Sequence, residues 1–552
     1  MASFLKHLRT VSGLTLVSRL AGLARDAVLA HVLGAAGFMD CYSMAFRMPN
    51  LLRQLLGEGA LTAAFIPVFT DYLEKGGPKA ANRFMSLVIV ALVASLAALT
   101  LTVDGALLVL RYLTEAGTKW HLIFGLAAVL FPFGIMVCLV ALLQAALNCR
   151  EHFAMPALAP VVLNLCIIAG AAMAGWRLAS DPFLEVYFIA GAILVAGVIE
   201  IVIQVPAMRR AGLLFHAAWD LHDAGLRRVV ALMAPVVVAV GVVQINVFTD
   251  SLIANLLSPN VLVAGGAPQV FQVGPWQVPY PMKIGAASVL YYGPLIYQFP
   301  LGVFGIALAT VVFPVLSRYA VRKDLPGMAR TASHALRLAI FIGVPAGVGI
   351  ILVCGPLVRL VFDHGRFHEA PDAVARTAWV ASLFSLGIWS YSINHILNRT
   401  FYAMQEVATP RRVAVAAAGL NLACNLVLVW PMAEGGLALA TVISALFQTV
   451  VLAWLLNRRC ARPAPGPHFG LEWRSIAASA LRTLAASAAM GLATWAAVGW
   501  LAPMLPIAGR SLYSAQLFGG VAVGAAVFVL AARLLRMTEL RDLVGRAADI
   551  GS

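Results

Sequence analysis

The chain has 552 residues, 61% of them hydrophobic and only 11% charged, with a formal net charge of +15. Soluble globular chains sit near 45–50% apolar and about 25% charged. Apolar runs of roughly 20 residues exclude a soluble multidomain protein, and equally an outer-membrane barrel, whose strands alternate over about ten residues.

An all-α polytopic membrane protein remains. The N-terminal MASFLKHLRT is basic and precedes an apolar stretch, as in a signal peptide. Arg19 and Arg25 interrupt that stretch and no small-x-small cleavage site follows, so it reads as a retained first helix. Crossing a core of about 30 Å takes roughly 20 residues. The sequence predicts fourteen spans, near 10–33, 38–73, 83–111, 121–148, 156–176, 184–208, 228–257, 286–318, 333–361, 375–404, 412–431, 437–457, 476–502 and 511–535.

Loop charge sets direction. Lys75, Lys79, Arg83, Arg209, Arg210, Arg227, Arg228, Arg318, Arg322, Lys323, Arg330, Arg411, Arg412, Arg458, Arg459 and Arg462 fall on one side, with Arg533, Arg536, Arg541 and Arg546 in the tail. The opposite loops hold few cations, chiefly Lys119, Arg177, Lys283, Arg366, Arg376 and Arg510. By the positive-inside rule both ends are cytoplasmic, which accounts for the net charge without nucleic acid. Seven cysteines without CxxC spacing read as small buried hydrophobes rather than disulfides or metal ligands.

An internal repeat runs through the chain. Ala60–Tyr72 aligns without gaps to Ala307–Tyr319, placing Pro67 on Pro314, and the segment from Ala24 matches that from Phe248, placing Asp26 on Asp250. ALLQAALNCREHFAMP, ending at Pro156, parallels HILNRTFYAMQEVATP, ending at Pro410. Parallel repeats of this kind predict two six-helix lobes around a central cavity, with two further helices outside the repeat. The lobes are assigned to residues 1–215 and 216–465, and the final helices with the tail to 466–552. The second half carries an outside insertion, 258–286. Its PQVFQVGPWQVPYP core alternates and turns at Gly274–Pro275, predicting a hairpin that serves as a cap or as a substrate-contacting loop.

Each central Arg or Asp in a membrane helix costs about 2.5–3.5 kcal/mol on insertion scales. The first helix nevertheless carries Arg19, Arg25 and Asp26, and the second Asp40, Arg47, Asn50, Arg53 and Glu58. Arg19 and Asp26 share a face with Gly22 between them, leaving room for a ligand or a neighbouring helix. Arg47, Asn50 and Gln54 form a polar stripe by spacing. Salt bridges that only hold the helices together are one reading. A cationic cavity for an anionic substrate is the other, because arginines exceed carboxylates in the deep part and the guanidinium fork suits phosphate or pyrophosphate.

The stretch SRLAGLARDAVLAHVLGAAGFMDCYSMAFRMPNLLRQLLGEGALTAAFIPVF closely resembles the N-terminal signature of the MurJ/MviN lipid II flippases, within the multidrug/oligosaccharidyl-lipid/polysaccharide (MOP) exporter superfamily. LGVFGIALATVVFPVLSRY, VRLVFDHGRFHEAPDAVA and NRTFYAMQEVATP add to the likeness, which covers nearly the whole chain. The resemblance implies a non-enzymatic flippase moving undecaprenyl-pyrophosphate-linked peptidoglycan precursor from the inner to the outer leaflet of the bacterial cytoplasmic membrane. It implies that Arg19, Arg25 and Arg53 are central-cavity arginines and that Asp26, Asp40 and Glu58 are gate and ion-pair carboxylates. Arg47 and Asn50 fall within the same motif and are counted as substrate-binding. Many family members carry an Asp-Arg pair in helix 8. This chain has Pro294 and Leu295 there, so either Lys283 supplies the charge or the N-terminal half holds the substrate. The difference also leaves room for another lipid-linked substrate.

Asp250 with Asn394 and Asn398 is a candidate Na⁺ or proton site, with polar helix packing as the alternative. No nucleotide-binding GxxxxGK[ST] motif occurs, so no cofactor is expected and alternating access draws on a gradient or the membrane potential. The rivals are a MOP exporter of another lipid-linked oligosaccharide, a membrane scaffold of the kind fused to a pseudokinase, and an enzyme acting on lipid carriers. For the last, His364 and His368 read as loop residues. Expected partners are the lipid substrate, membrane lipids and the cell-wall synthesis machinery, with the protein itself a monomer.

Overall fold

The computed structural model describes residues 2–152, 154–179, 181–216, 218–220, 222–263, 270–370, 372–461, 470–504 and 509–549, without the side chains of 2–12, 58–59, 239, 273, 501–504 and 544–549. Two compact units divide the chain: residues 1–288 with 364–371, and residues 289–363 with 372–552. These units follow contacts, whereas the boundaries at 215 and 465 follow the sequence repeat.

The first unit begins with α1 (Ala2–Leu33) and α2 (Gly37–Leu52), continued by a π-helical segment, Arg53–Leu61, into α3 (Thr62–Leu113). At 52 residues, α3 would be about 78 Å long at 1.5 Å per residue, far more than one bilayer core. Gly77 divides it, with φ 73° and ψ −178°, a conformation essentially reserved for glycine. The boundary predicted between the second and third spans lies at this kink. α4 (Lys119–Leu130), α5 (Phe133–Cys149), α6 (Ala154–Arg177), α7 (Pro182–Arg210) and α8 (Ala224–Leu256) follow. Stacked Phe65, Phe69, Phe84 and Tyr72 form the centre of this unit's core, packed against Leu142, Leu147 and Leu226.

The predicted hairpin is present. β1 (Val270–Val273) pairs antiparallel with β2 (Trp276–Pro279), Val273 opposite Trp276, so Gly274 and Pro275 form the turn. Gly274 has φ 61°, which its lack of a Cβ permits. Residues 264–269 of the insertion lie outside the described residues.

α9 (Ala286–Pro300) leads from the first unit into the second, where a π-helical segment, Leu301–Ile306, continues it into α10 (Ala307–Val321). Then come α11 (Leu325–Val361), the short α12 (Arg366–Glu369) of the first unit, α13 (Ala373–Ser385) and α14 (Ile388–Ala403). α15 (Ala408–Met432), α16 (Glu434–Cys460), α17 (Trp473–Met504), α18 (Arg510–Leu534) and α19 (Thr538–Asp549) complete the chain. The second core joins Leu316, Met328 and Leu336 to Ile396, Phe401, Leu452 and Leu456.

Ten described helices are long and apolar enough to cross a membrane, or eleven if the bent halves Ala224–Val238 and Val240–Leu256 count as one span. Their outward faces carry large exposed apolar side chains such as Leu101, Leu481 and Leu492, the surface lipid requires. All seven cysteines are free.

The repeat recurs in the backbone. The α4–α5 break at Phe131–Pro132 corresponds to the α13–α14 break at Leu386–Gly387, and a π-helical segment leads into each of the aligned Ala60–Tyr72 and Ala307–Tyr319 stretches. Glu151 and Gln405, aligned by sequence, have φ 60° and 58°, rare for residues other than glycine.

Gly77→Ala is expected to destabilise by about 1–3 kcal/mol, the usual cost of such strain, although open space surrounds the position. Gly105, mid-helix with equally open surroundings, serves as the control. Its change to alanine is expected to be neutral or stabilising by up to about 1 kcal/mol. Thermal unfolding of the purified protein in detergent checks the opposite signs, and equal shifts would refute the role of the kink.

Candidate functional site

α1 is mostly exposed from residue 15 to 24 and mostly buried from Asp26 on, because its second half packs against α6 and α12. Arg19 and Asp26 share a helix face by spacing, yet Arg19 is exposed and Asp26 buried. Asp26 pairs with its neighbour: Arg25 donates to Asp26 Oδ1 from Nε at 2.9 Å and from Nη2 at 2.8 Å. Arg25 Nη1 donates to Asn164 Oδ1 on α6 at 3.0 Å, and Asn164 Nδ2 donates to the Ser18 carbonyl at 3.2 Å. A Cβ on Gly22 would sit 3.7 Å from Asn164 Nδ2, so the room at Gly22 is used by a neighbouring helix. The carboxylate and the amide fix the guanidinium from two sides. Buried Tyr42 lies within electrostatic reach of both Arg25 and Asp26.

Arg53 opens the first π-helical segment, and its Nε donates to Asn50 Oδ1 at 2.8 Å. The neutral amide orients the cation without adding charge. π-helical turns recur at functional positions, because one extra residue per turn re-aims side chains. Arg47, Asn50 and Gln54 of the predicted stripe are each half-buried. Asn50 serves Arg53, while Arg47 Nη1 donates to the Val247 carbonyl of α8 at 2.8 Å. The side chain of Glu58 lies outside the described residues.

Asp40 is fully buried. Gly285 N donates to its Oδ2 at 2.9 Å, and Ser288 N and Oγ donate to Oδ1 at 2.7 and 2.6 Å. These are the backbone donors at the start of α9, where a helix favours negative charge. Lys119 Nζ lies 3.8 Å from Asp40 Oδ2 and donates to Ser258 Oγ at 2.6 Å. Asp40 therefore pairs with a lysine and a helix terminus. Of the cations grouped with the outside loops, Lys119, Arg366 and Arg376 make contacts within the fold. Lys119 is fully buried, Arg366 pairs with Glu185 and bonds the Val32 and Ala179 carbonyls, and Arg376 pairs with Glu434 at 2.5 Å. His364, expected to be an ordinary loop residue, contacts the Ala27 carbonyl through Nε2 at 3.2 Å and stacks on His31.

Asp250, on α8 in the first unit, is half-buried, and Lys283 is exposed. In the second unit Asn394 donates to the Ala445 carbonyl and accepts from Thr449 Oγ1, both at 3.0 Å, which joins α14 to α16. Asn398 Oδ1 is buried with no hydrogen-bond partner among the described residues. Pro294 and Leu295 lie within α9, each half-buried.

Two buried residues of α7, Glu200 and Gln204, are not among the candidates that sequence spacing selects. Their signal in the sequence is a carboxylate and an amide one turn apart in an otherwise apolar helix. Nothing in sequence spacing announces the Asp40–Lys119 pairing, which joins residues far apart in the chain.

The model of the family described as lipid II flippase MurJ matches residues 29–505. A relative from Vibrio cholerae serotype O1, named "Probable lipid II flippase MurJ", is 32% identical over 454 residues, covering 80% of this chain and 81% of its own. A Burkholderia cenocepacia relative named "Lipid II flippase MurJ" is 28% identical, covering 84% of this chain and 85% of its own. Among solved structures, a lipid II flippase MurJ in an inward closed conformation shares the fold with a TM-score of 0.72 at 21% identity, over 97% of this chain and 99% of that one. An inward-facing multidrug resistance MATE family transporter of the MOP superfamily has a TM-score of 0.62 at 13% identity, over 82% and 97%.

Asp40→Ala is expected to destabilise by about 3–5 kcal/mol, since it leaves the Lys119 ammonium buried without its carboxylate. Lys119→Met costs less, because Asp40 keeps its three donors from Gly285 and Ser288. Unfolding temperatures of the two purified variants test the order. A more damaging Lys119→Met would overturn it.

Proposed function

The chain belongs to the lipid II flippase MurJ family, and from that premise we propose that it moves lipid II from the inner to the outer leaflet of the bacterial cytoplasmic membrane. It acts as a transporter in peptidoglycan synthesis rather than as an enzyme. The observation that carries the reading is Arg25, a guanidinium in an apolar helix held by the Asp26 carboxylate and the Asn164 amide. Arg53, oriented by the neutral Asn50, adds a second cation. A pyrophosphate is the ligand whose charge and paired oxygens match such forks.

Fourteen membrane crossings follow if α1, the two parts of the kinked α2–α3 run, and the α4–α5, α9–α10 and α13–α14 runs are each taken as spans with the remaining long helices. The termini are cytoplasmic. Residues 1–215 and 216–465 form the two lobes of an alternating-access cycle around a central cavity, with 466–552 appended. Arg25 and Arg53 bind the head, assisted by Arg19, Arg47 and Asn50, while Asp26, Asp40 and Glu58 hold ion pairs that change during the cycle. The prenyl tail stays in lipid. A Na⁺ or proton gradient drives the cycle, together with a membrane potential worth about 2.3 kcal/mol per charge per 100 mV. Asp250 is the carboxylate assigned to the ion, because the Asn394 amide is engaged by Thr449 and Ala445. The protein works as a monomer alongside the cell-wall synthesis machinery.

Hydrogen bonds to charged groups contribute about 1.5–3 kcal/mol each. Arg25→Ala and Arg53→Ala are therefore expected to lower lipid II flipping in proteoliposomes by roughly 10- to 100-fold. Full activity in both variants would sink the assignment. Complementation of a flippase-depleted strain, scored by outer-leaflet lipid II, tests the substrate.

A further inference from the structure

The buried stripe of α7 runs Val186, Ile189, Ala190, Ile193, Ala196, Gly197, Glu200, Gln204, Ala207, Met208. That spacing is one face of a helix. A Cβ on Gly197 would meet Met136 and Phe133 of α5, so this face is pressed against its neighbour. Glu200 and Gln204 break the apolar run. Glu200 is 3% exposed and Gln204 0%, and Glu200 lies ten residues before the end of α7, about 15 Å along the axis.

Among the described residues, Glu200 Oε2 and Gln204 Oε1 are both buried without a hydrogen-bond partner, while Gln204 Nε2 is spent on the Glu200 carbonyl at 3.0 Å. Two acceptors one turn apart thus lack a donor. An ionised carboxylate offers only acceptors, whereas a protonated one brings an O–H. A proton is the ligand that supplies what the pair lacks and removes the buried charge.

The groups facing Glu200 are few. Among the described residues, Arg53 of the π-helical segment is the charged group whose field reaches it, and α6 presents Cys166. On the other elements against α7, Asp40 of α2 and Lys119 of α4 are engaged with each other, and Arg47 of α2 bonds Val247. On α5, Cys138 lies near Arg53 and donates to the Leu52 carbonyl.

We propose that Glu200, with Gln204 beside it, is a proton-binding site linked through Arg53 to occupancy of the anionic headgroup site. The link rests on the substrate reading of Arg53 given above, whereas the proton site itself does not. The sign follows from charge. An anion on Arg53 cancels the positive field that favours ionised Glu200, so headgroup binding raises the proton affinity of Glu200. By reciprocity, protonation of Glu200 strengthens headgroup binding. The step is simple: the carboxylate takes one proton as the pyrophosphate docks and returns it as the pyrophosphate leaves.

Infrared difference spectra of the purified protein in lipid nanodiscs test the site directly. A carboxylic C=O band is expected to appear in the native protein as pH is lowered, absent from Glu200→Gln and shifted in Gln204→Leu. The Gln204→Leu spectrum decides the matter even if Glu200→Gln fails to fold. A native protein without that band, or with it unchanged in both variants, overturns the site, as does a carboxylate signal that responds to Na⁺ instead. For the link, native affinity for lipid II is expected to tighten about 5-fold or more as pH falls through the titration of Glu200. Glu200→Gln, fixed in the neutral state, is expected to hold the tight value at every pH. Equal pH dependence in the two proteins overturns the link. Failure of either to bind lipid II at any pH would defeat the substrate reading and the link with it, while the infrared band still decides the proton site.

Discussion

Removing a charge from water among apolar helices is costly unless partners replace the lost solvation, and the charged residues of this chain are arranged around that constraint. Arg25 is held by Asp26 and Asn164. Asp40 takes two backbone N–H groups, a hydroxyl and a lysine. Arg366 joins Glu185, and Arg376 joins Glu434. At Glu200, whose buried Oε2 has no donor among the described residues, protonation of the carboxyl is the remaining way to meet the same demand.

The partners differ in kind, and that difference separates scaffolding from ligand binding. Asp40 and Lys119 are fully buried, and their bonds join α2 and α4 to the start of α9, a structural use of charge. Arg53 is oriented by a neutral amide, that of Asn50, and the substrate reading proposed above places the anionic headgroup at it. An anionic substrate needs the field of such a cation, and so does a nearby carboxyl that exchanges protons with occupancy.

Much of the fold is legible in the order of residues. Apolar run length predicts the helices, because a bilayer core demands a minimum length. Gly274–Pro275 predicts the hairpin turn, because turn residues act locally. The repeat is readable at Pro156 and Pro410, and the strained Glu151 and Gln405 stand at matching places just before them. The candidate site is legible only as composition. Arg25 and Arg53 stand out because charge is rare in such helices. Helical spacing puts Asp26 on one face with Arg19, seven positions away, whereas its ion pair at 2.8 Å is with its immediate neighbour, Arg25. Lys119 resembles a loop cation because it lies at a helix end, where spacing cannot tell exposure from burial.

Sequence alone determined the membrane class, the helical runs, the repeat and the family, since each depends on residue type along the chain or on local geometry. Tertiary structure decided which charges are neutralised and by what. Asn164 reaches Arg25, Lys119 reaches Asp40, and Glu200 is buried. Those outcomes depend on distances between residues far apart in the chain, and Coulomb and hydrogen-bond energies act through space.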